Sequence, residues 1–337
     1  VQATTTNVAG NIDSKEIKTP YMREFENIAP LDDVTVIADY YTWYESPGKP
    51  YAAWASTTGK LHLYNPLLGE YSSSDPIVIA KHIDWATGHG IDAFAISWCG
   101  KTGENPNNPS ANPNDLPKLE GAFLKHPMLD QIKFFILYEN NSRLKIQNPK
   151  DPSEKWIEDL DDPFNRKRLV SDFEYLTKYF SYASYLRVRG KPALIFDYTA
   201  SFRGDIKAVF DEVKQKVKEI NGAELYLVND LAMRAYHPQE IVNPSHPHIQ
   251  QIIENTDAVG YGMPQCYLCF DLEEPYRLWR TAALKHGKDY LPYSMPGFEP
   301  SPNVLPDAQP VPRDPDIFRE LIHSSIKYST CKMIGIK

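Results

Sequence analysis

The stretch GEYSSSDPIVIAKHIDWATGHGIDAFAISWCG, residues 69–100, decides the fold. Within it, Asp75 and Pro76 form the N-cap and the first turn of a predicted helix that runs to Gly90. The apolar run IDAFAISW (91–98) follows, without the polar–apolar alternation of a half-exposed strand. Such a run is typical of a strand buried on both faces, as in a parallel sheet. The stretch therefore predicts a helix followed by a core strand, which is one unit of an α/β fold.

The same unit recurs along the chain. Eight runs have the character of buried strands: VTVIADYY (34–41), IDAFAISW (91–98), IKFFILYE (132–139), PALIFDY (192–198), ELYLVND (224–230), AVGYGMPQ (258–265), DYLPYSM (289–295) and KMIGIK (332–337). Further amphipathic segments predict helices over 166–186, 206–223, 275–288 and 314–330. This alternation predicts a single (β/α)8 TIM barrel whose eighth strand lies at the C-terminal end of the sequence. A doubly wound open sheet is the alternative, although no GxGxxG or GxxxxGKS/T motif follows any strand.

The chain divides into a short extension and one large domain. Residues 1–30 are polar and predict an N-terminal extension, whereas residues 31–337 predict the barrel domain. Two loops follow the second and seventh strands: residues 100–118, which are rich in Gly, Pro and Asn, and residues 299–315, which are rich in Pro. Because barrel sites are built from loops on this side of the strands, these two either contribute to a site or are exposed surface loops.

Charge and the N-terminal residue bear on partners and location. The formal net charge of −8 disfavours binding to nucleic acid or to an anionic membrane surface. No apolar run approaches the roughly 18 residues that a membrane span needs. The sequence begins at Val1 in a polar stretch, which suggests a mature end after removal of a signal peptide. We therefore expect a secreted or cell-surface protein, and the sequence does not set its oligomeric state.

The cysteines do not predict a metal site. Cys266 and Cys269 have CxxC spacing, but Cys99 and Cys331 fall at different places in the predicted barrel. A structural zinc site would need two further ligands beside the first two cysteines. We therefore expect no metal and no cofactor.

The residues at the carboxyl ends of the strands are the candidate site, since barrel enzymes carry their functional groups there. Aromatic side chains with a few carboxylates and amides at one opening suit a cleft that stacks on sugar rings and meets their hydroxyls. The residues predicted to bind substrate are Tyr40, Tyr41, Trp43, Trp98, Tyr138, Arg143, Asp197, Tyr261 and Phe298. Each aromatic residue has the alternative of simply filling the barrel.

Glu139 is the candidate catalytic residue. It directly follows the apolar run FFILY, where a carboxylate must find a partner or face a cleft because burying it alone is costly. An internal ion pair with Arg143 is the alternative. Asp197 follows the apolar run PALIF in the same way.

The motifs also resemble a known family. The resemblance rests on the run DYYTWYESP (39–47) and on residues 69–100. Later matches are Tyr138-Glu139, Gly190-Lys191-Pro192-Ala193 and Met295-Pro296-Gly297-Phe298. Together these motifs resemble glycoside hydrolase family 99, the endo-α-1,2-mannosidase family. The resemblance covers about residues 34 to 337. It implies a (β/α)8 barrel and retaining, metal-free cleavage of internal α-mannosidic bonds in an oligosaccharide or polysaccharide.

The sequence departs from this family at one place. The family carries two catalytic glutamates in an Asn-Glu-Trp-x-Glu motif just after the eighth strand, and this motif does not occur in the 337 residues. The catalytic pair is therefore unknown here, and we expect the natural protein to continue past Lys337. The alternative is a non-catalytic glycan-binding or structural protein that keeps the barrel, and a third interpretation is a barrel enzyme of another class.

Overall fold

The computed structural model describes residues 5–6, 12–13, 34–46, 55–56, 59–60, 66–101, 103–107, 115–147, 157–231, 247–260, 273–298 and 313–337. Within these residues, one sheet contains eight parallel strands, at the eight predicted places. They are β1 (Thr35–Tyr40), β2 (Ala93–Trp98), β3 (Lys133–Tyr138), β4 (Lys191–Phe196), β5 (Tyr226–Asn229), β6 (Ala258–Gly260), β7 (Asp289–Leu291 with Tyr293–Ser294) and β8 (Met333–Ile336).

The sheet closes on itself through β7. This strand is split at Pro292, which has no N–H to donate to a ladder. Its first segment pairs with β6 and its second with β8, which in turn pairs with β1. The order β7-β6-β5-β4-β3-β2-β1-β8-β7 therefore begins and ends at the same strand. The predicted barrel is confirmed, and the open-sheet alternative is wrong.

Helices cover the outside of the ring. Those of at least two turns that the structure describes are α1 (Pro76–Gly88), α2 (Asp115–Gly121), α3 (Pro163–Leu176), α4 (Ile206–Asn221), α5 (Pro247–Asn255), α6 (Glu274–Lys285) and α7 (Pro315–Tyr328). The side chain of Asp75 caps α1 as predicted, accepting a hydrogen bond from the amide of Ile77. The start of α3 lies before the predicted segment because Asp162 caps it in the same way, ahead of Pro163.

Short elements complete the described chain. Single turns are the α-helix Asn140–Arg143 and the 3-10 helices Phe123–Lys125, Leu129–Gln131, Thr177–Ser181 and Thr199–Ser201. Two-residue strands pair Glu158–Asp159 with Phe202–Arg203, Arg187–Val188 with β4, Thr5–Thr6 with Ile12–Asp13, and Ala55–Ser56 with Gly59–Lys60. Most of these elements lie in the connections between barrel strands.

The pleat of the strands divides the core into two layers. Alternate residues point outward and pack under the helices, as Phe196 does against Phe173 of α3 and Phe210 of α4, with ring centroids 5.5 and 5.2 Å away. The residues between them point into the ring. Asp197 directly follows Phe196 and so belongs to the inward set. The inward side chains at the carboxyl ends of the strands therefore meet at one opening, the mouth of the barrel.

Candidate active site

Eight polar or aromatic side chains meet at the mouth. This group, called the inner cluster, consists of Asp39, Tyr41, Ser97, Glu139, Asp197, Asp230, Tyr293 and Lys337. Hydrogen bonds and electrostatic contacts connect its members across seven different strands or strand ends. The sequence predicted Tyr41, Glu139 and Asp197 as site residues.

Sequence reasoning overlooked Asp39, Ser97, Tyr293 and Lys337. The signal that could have found Asp39 is the period of two along its strand: if Tyr41 faces inward, then the residue two positions before it also faces inward. That spacing places Asp39, two residues before Tyr41, inside the ring.

Glu139 and Asp197 form the centre of the inner cluster. Ser97 donates its hydroxyl to Glu139 Oε1 at 2.7 Å, and the carboxyl groups of Glu139 and Asp197 are near enough to interact electrostatically. Burial raises the pKa of Asp197 well above its ordinary value, and the negative charge of Glu139 raises it further. The alternative of an ion pair between Glu139 and Arg143 is wrong.

Asp39 and Lys337 form the second part of the inner cluster. Lys337 Nζ lies 3.7 Å from Asp39 Oδ2. Burial raises the pKa of Asp39 to about 6, with Lys337 opposing the rise and Glu139 adding to it. Burial also acts to lower the pKa of Lys337, but the surrounding acidic groups outweigh it and the net direction is upward. Lys337 is therefore a cation at neutral pH, placed among carboxyl groups.

An aromatic pair lies at the edge of the inner cluster. The rings of Tyr41 and Trp43 stack with centroids 4.5 Å apart and planes at 21°. Both residues are only partly buried, so part of each ring is accessible, and Tyr41 interacts with Lys337 of the inner cluster. A sugar ring presents apolar C–H groups that stack on such a surface. The pair therefore supplies an apolar wall beside the charged groups.

Four predicted site residues point away from the mouth. The hydroxyl of Tyr40 hydrogen-bonds His82 of α1 at 3.1 Å, and the hydroxyl of Tyr138 donates to Asp172 of α3 at 2.8 Å. Trp98 is buried against Tyr138 and Tyr175, the latter in α3.

Arg143 is also outside the ring, where it forms a bidentate ion pair with Asp172 at 2.6 and 2.9 Å. The structure thus corrects the prediction that Tyr40, Trp98, Tyr138 and Arg143 share the opening with Glu139. The physical reason is the pleat, since the first three lie at outward positions of their strands.

The remaining predictions have different outcomes. Phe298 is partly buried, beyond the end of β7. Tyr261, Cys266 and Cys269 lie outside the described residues. Within the part of the chain that the structure describes, no three His, Cys, Asp or Glu side chains are grouped so that they could hold a metal ion. In that same part, no helix has the length and apolar character needed to cross a bilayer.

Comparisons with known proteins add to this geometry. No family model and no curated protein matches the chain. A solved family 99 endo-α-mannosidase from Bacteroides thetaiotaomicron has a TM-score of 0.64 at 16% identity, over 91% of this chain and 84% of that one. A glycoside hydrolase-like protein gives 0.66 at 17% identity, over 94% and 86%. The mannosidase in complex with bis-tris propane gives 0.61 at 17%, over 91% and 83%.

The fold is that of these glycoside hydrolases. At such low identity the likeness concerns the fold, and it agrees with the family resemblance in the sequence motifs. The barrel expected from that resemblance is confirmed.

Proposed function

We propose that this barrel belongs to a glycoside hydrolase that acts within α-mannosidic or related α-glycan chains, with retention of configuration. The single observation that carries the proposal is the inner cluster: acidic side chains, one lysine and a stacked Tyr–Trp pair converge at the carboxyl end of a closed barrel. The family resemblance in the motifs supplies the substrate class. Secretion and an oligosaccharide or polysaccharide substrate remain part of the proposal.

Each part of the inner cluster has a task in sugar binding. The stacked rings of Tyr41 and Trp43 provide the wall on which a sugar face packs. The paired carboxyls of Glu139 and Asp197 accept hydrogen bonds from sugar hydroxyls, and Lys337 donates them. A hydrogen bond to a charged group is stronger than one between neutral groups, so these contacts fix the orientation of the ring.

Catalysis by retention requires two carboxyl groups in distinct roles. We assign the inner cluster to binding and positioning, with Glu139 as the candidate for direct contact at the reacting sugar. The stacked Tyr41–Trp43 wall also suits a second function, a glycan-binding protein without hydrolytic activity. Both functions require a glycan bound at the mouth of the barrel, but only the hydrolase releases products with new reducing ends.

Binding is tested with the change Glu139→Gln. The amide keeps the size of the side chain but cannot carry the negative charge, so we expect the affinity for an α-1,2-linked mannose oligosaccharide to fall about tenfold or more. The melting temperature should change little, because the change also removes repulsion from Asp197. Isothermal titration calorimetry and thermal unfolding measure the two effects.

The matched control is Glu219→Gln on the exposed side of α4, where Glu219 accepts a hydrogen bond from Gln215. It should leave the affinity unchanged. Glu139 would be structural if Glu139→Gln lowered the melting temperature strongly while the folded fraction kept the affinity of the unaltered protein. Chromatography of the oligosaccharide after incubation with the unaltered protein separates hydrolysis from binding alone.

A further inference from the structure

A buried acidic residue, Glu158, lies between the chain segments that follow β3 and β4. It belongs to the short strand Glu158–Asp159, which pairs in parallel with Phe202–Arg203. Its side chain is fully buried, and among the described residues no lysine or arginine forms an ion pair with it. The phenol of Tyr138, from β3, is the titratable group that faces it. Burying a carboxyl group costs free energy of folding unless the group is hydrogen-bonded. The hydrogen-bond partners of Glu158 therefore indicate its role.

Those partners adjoin the two central carboxyls of the inner cluster. The Oε2 oxygen of Glu158 accepts a hydrogen bond from the side-chain amide of Asn140, and another from the hydroxyl of Ser201 at 2.6 Å. Asn140 directly follows Glu139, and Ser201 lies four residues after Asp197. One carboxyl oxygen thus ties together the two chain segments that carry the pair at the mouth.

The turn after Asp197 needs such support. Tyr198 has a φ of 53°, a left-handed conformation that is unfavourable for a residue with a side chain. The amide of Ser201 donates to the carbonyl of Tyr198 at 3.1 Å, closing the turn. Strained backbone of this kind persists only where the surrounding contacts hold it. The hydrogen bond from Ser201 to Glu158 is one of these contacts.

We infer that Glu158 is a positioning residue, which holds Asn140 and Ser201 and thereby fixes the two chain segments that carry Glu139 and Asp197 at the mouth. Its effect on ligand binding rests on the proposed function, whereas its effect on the geometry of the pair does not. Burial raises the pKa of Glu158 to about 7, so a neutral side chain of the same shape is a close substitute near neutral pH.

The test compares Glu158→Ala with Glu158→Gln. Carbon-13 NMR gives the side-chain carboxyl resonances of Glu139 and Asp197, whose chemical shifts report the surroundings of each group. Glu158→Ala should shift both resonances and weaken binding of an α-1,2-mannose oligosaccharide about tenfold, a typical cost of removing a group that orients a binding residue. Glu158→Gln should preserve both properties, because its amide oxygen accepts the same two hydrogen bonds.

A double variant tests whether the effect passes through Glu139. Glu139→Gln combined with Glu158→Ala should bind no more weakly than Glu139→Gln alone, since residues that act as one unit are not additive. Unchanged carboxyl resonances and full affinity in Glu158→Ala would overturn the inference, and so would equal losses in the Ala and Gln variants. If Glu158→Ala does not fold, Ser201→Ala removes the hydroxyl that bonds Glu158 and the carbonyl of Tyr198, and it is expected to shift the same two resonances.

The two proposals fail in different ways. An unaltered protein that does not bind the mannose oligosaccharide counts against the proposed function. The carboxyl resonances of Glu139 and Asp197 then still decide whether Glu158 positions the pair.

Discussion

At the scale of single residues, orientation in the pleat decides what a strand-end side chain can do. Tyr40 and Tyr41 are neighbours with the same side chain. Tyr40 stacks on Phe94 and hydrogen-bonds His82 under a helix, whereas Tyr41 lies close to Lys337 at the mouth. Burial raises the pKa of Tyr41 well above its ordinary value, with Lys337 opposing the rise, so its hydroxyl stays protonated and able to donate.

This contrast predicts opposite effects for two identical substitutions. Tyr41→Phe should weaken mannose oligosaccharide binding by roughly 1 kcal/mol, the typical value of one lost hydrogen bond, with little change in stability. Tyr40→Phe should leave the Kd unchanged and lower the free energy of unfolding by about 1 kcal/mol, because it removes the hydrogen bond to His82. Calorimetry and urea unfolding measure the two quantities, and a reversed pattern would contradict the assigned orientations.

At the scale of elements, Arg143 joins three parts of the barrel. It pairs with Asp172 of α3, with Glu104 in the loop after β2 at 2.9 Å, and with the carbonyl of Cys99 at 3.3 Å. Its guanidinium also lies 5.0 Å from the ring centroid of Trp98. The residue was expected to meet substrate, and its contacts instead assign it to fixing the loop after β2 against α3.

Removal of this cation should be costly to the fold. Arg143→Met removes the cationic partner of the buried Asp172, which typically lowers the free energy of unfolding by about 3–5 kcal/mol. The control is Arg166→Met, because Arg166 pairs with Glu212 on the exposed surface and such pairs contribute at most about 1 kcal/mol. Urea unfolding of both variants checks the difference, and equal losses would mean that the buried pair contributes no more than the exposed one.

At the scale of the whole molecule, buried acids couple folding to proton binding. Burial raises the pKa of Asp39 from 3.8 to about 6 and that of Glu158 from 4.5 to about 7, and it raises that of Asp197 as well. An acid whose pKa is raised by folding contributes stability that is fully present below its ordinary pKa. That contribution is lost as the pH rises through the pKa of the folded state.

The contribution of these three acids to the free energy of unfolding should therefore decrease between about pH 4 and pH 7. Glu158→Gln does not titrate, so we expect its stability to fall less steeply over this range, by an amount on the order of 1–3 kcal/mol. Glu219→Gln, on the exposed side of α4, should keep the slope of the unaltered protein. Urea unfolding at a series of pH values measures the slopes, and identical slopes for all three proteins would refute the link to Glu158.

The sequence by itself determined the barrel. Eight apolar runs mark the strands because a strand covered on both faces must be apolar throughout, and Asp-Pro pairs mark helix starts because each supplies a cap and a preset first turn. Glu139 and Asp197 were also predictable, because a carboxylate that ends an apolar run needs a cleft or a partner. These signals are local, so they can be recognised in the sequence without knowledge of the fold.

Only the tertiary structure decided which strand-end side chains meet. Closure of the ring sets β8 beside β1, so Lys337 and Asp39, from opposite ends of the barrel sequence, lie 3.7 Å apart. The same closure directs Tyr40 and Trp98 under the helices. Local sequence sets the period of two, but it does not say which of the two faces is the inside. That choice depends on packing between strands far apart in the chain, so the members of the inner cluster can be identified only from the tertiary structure.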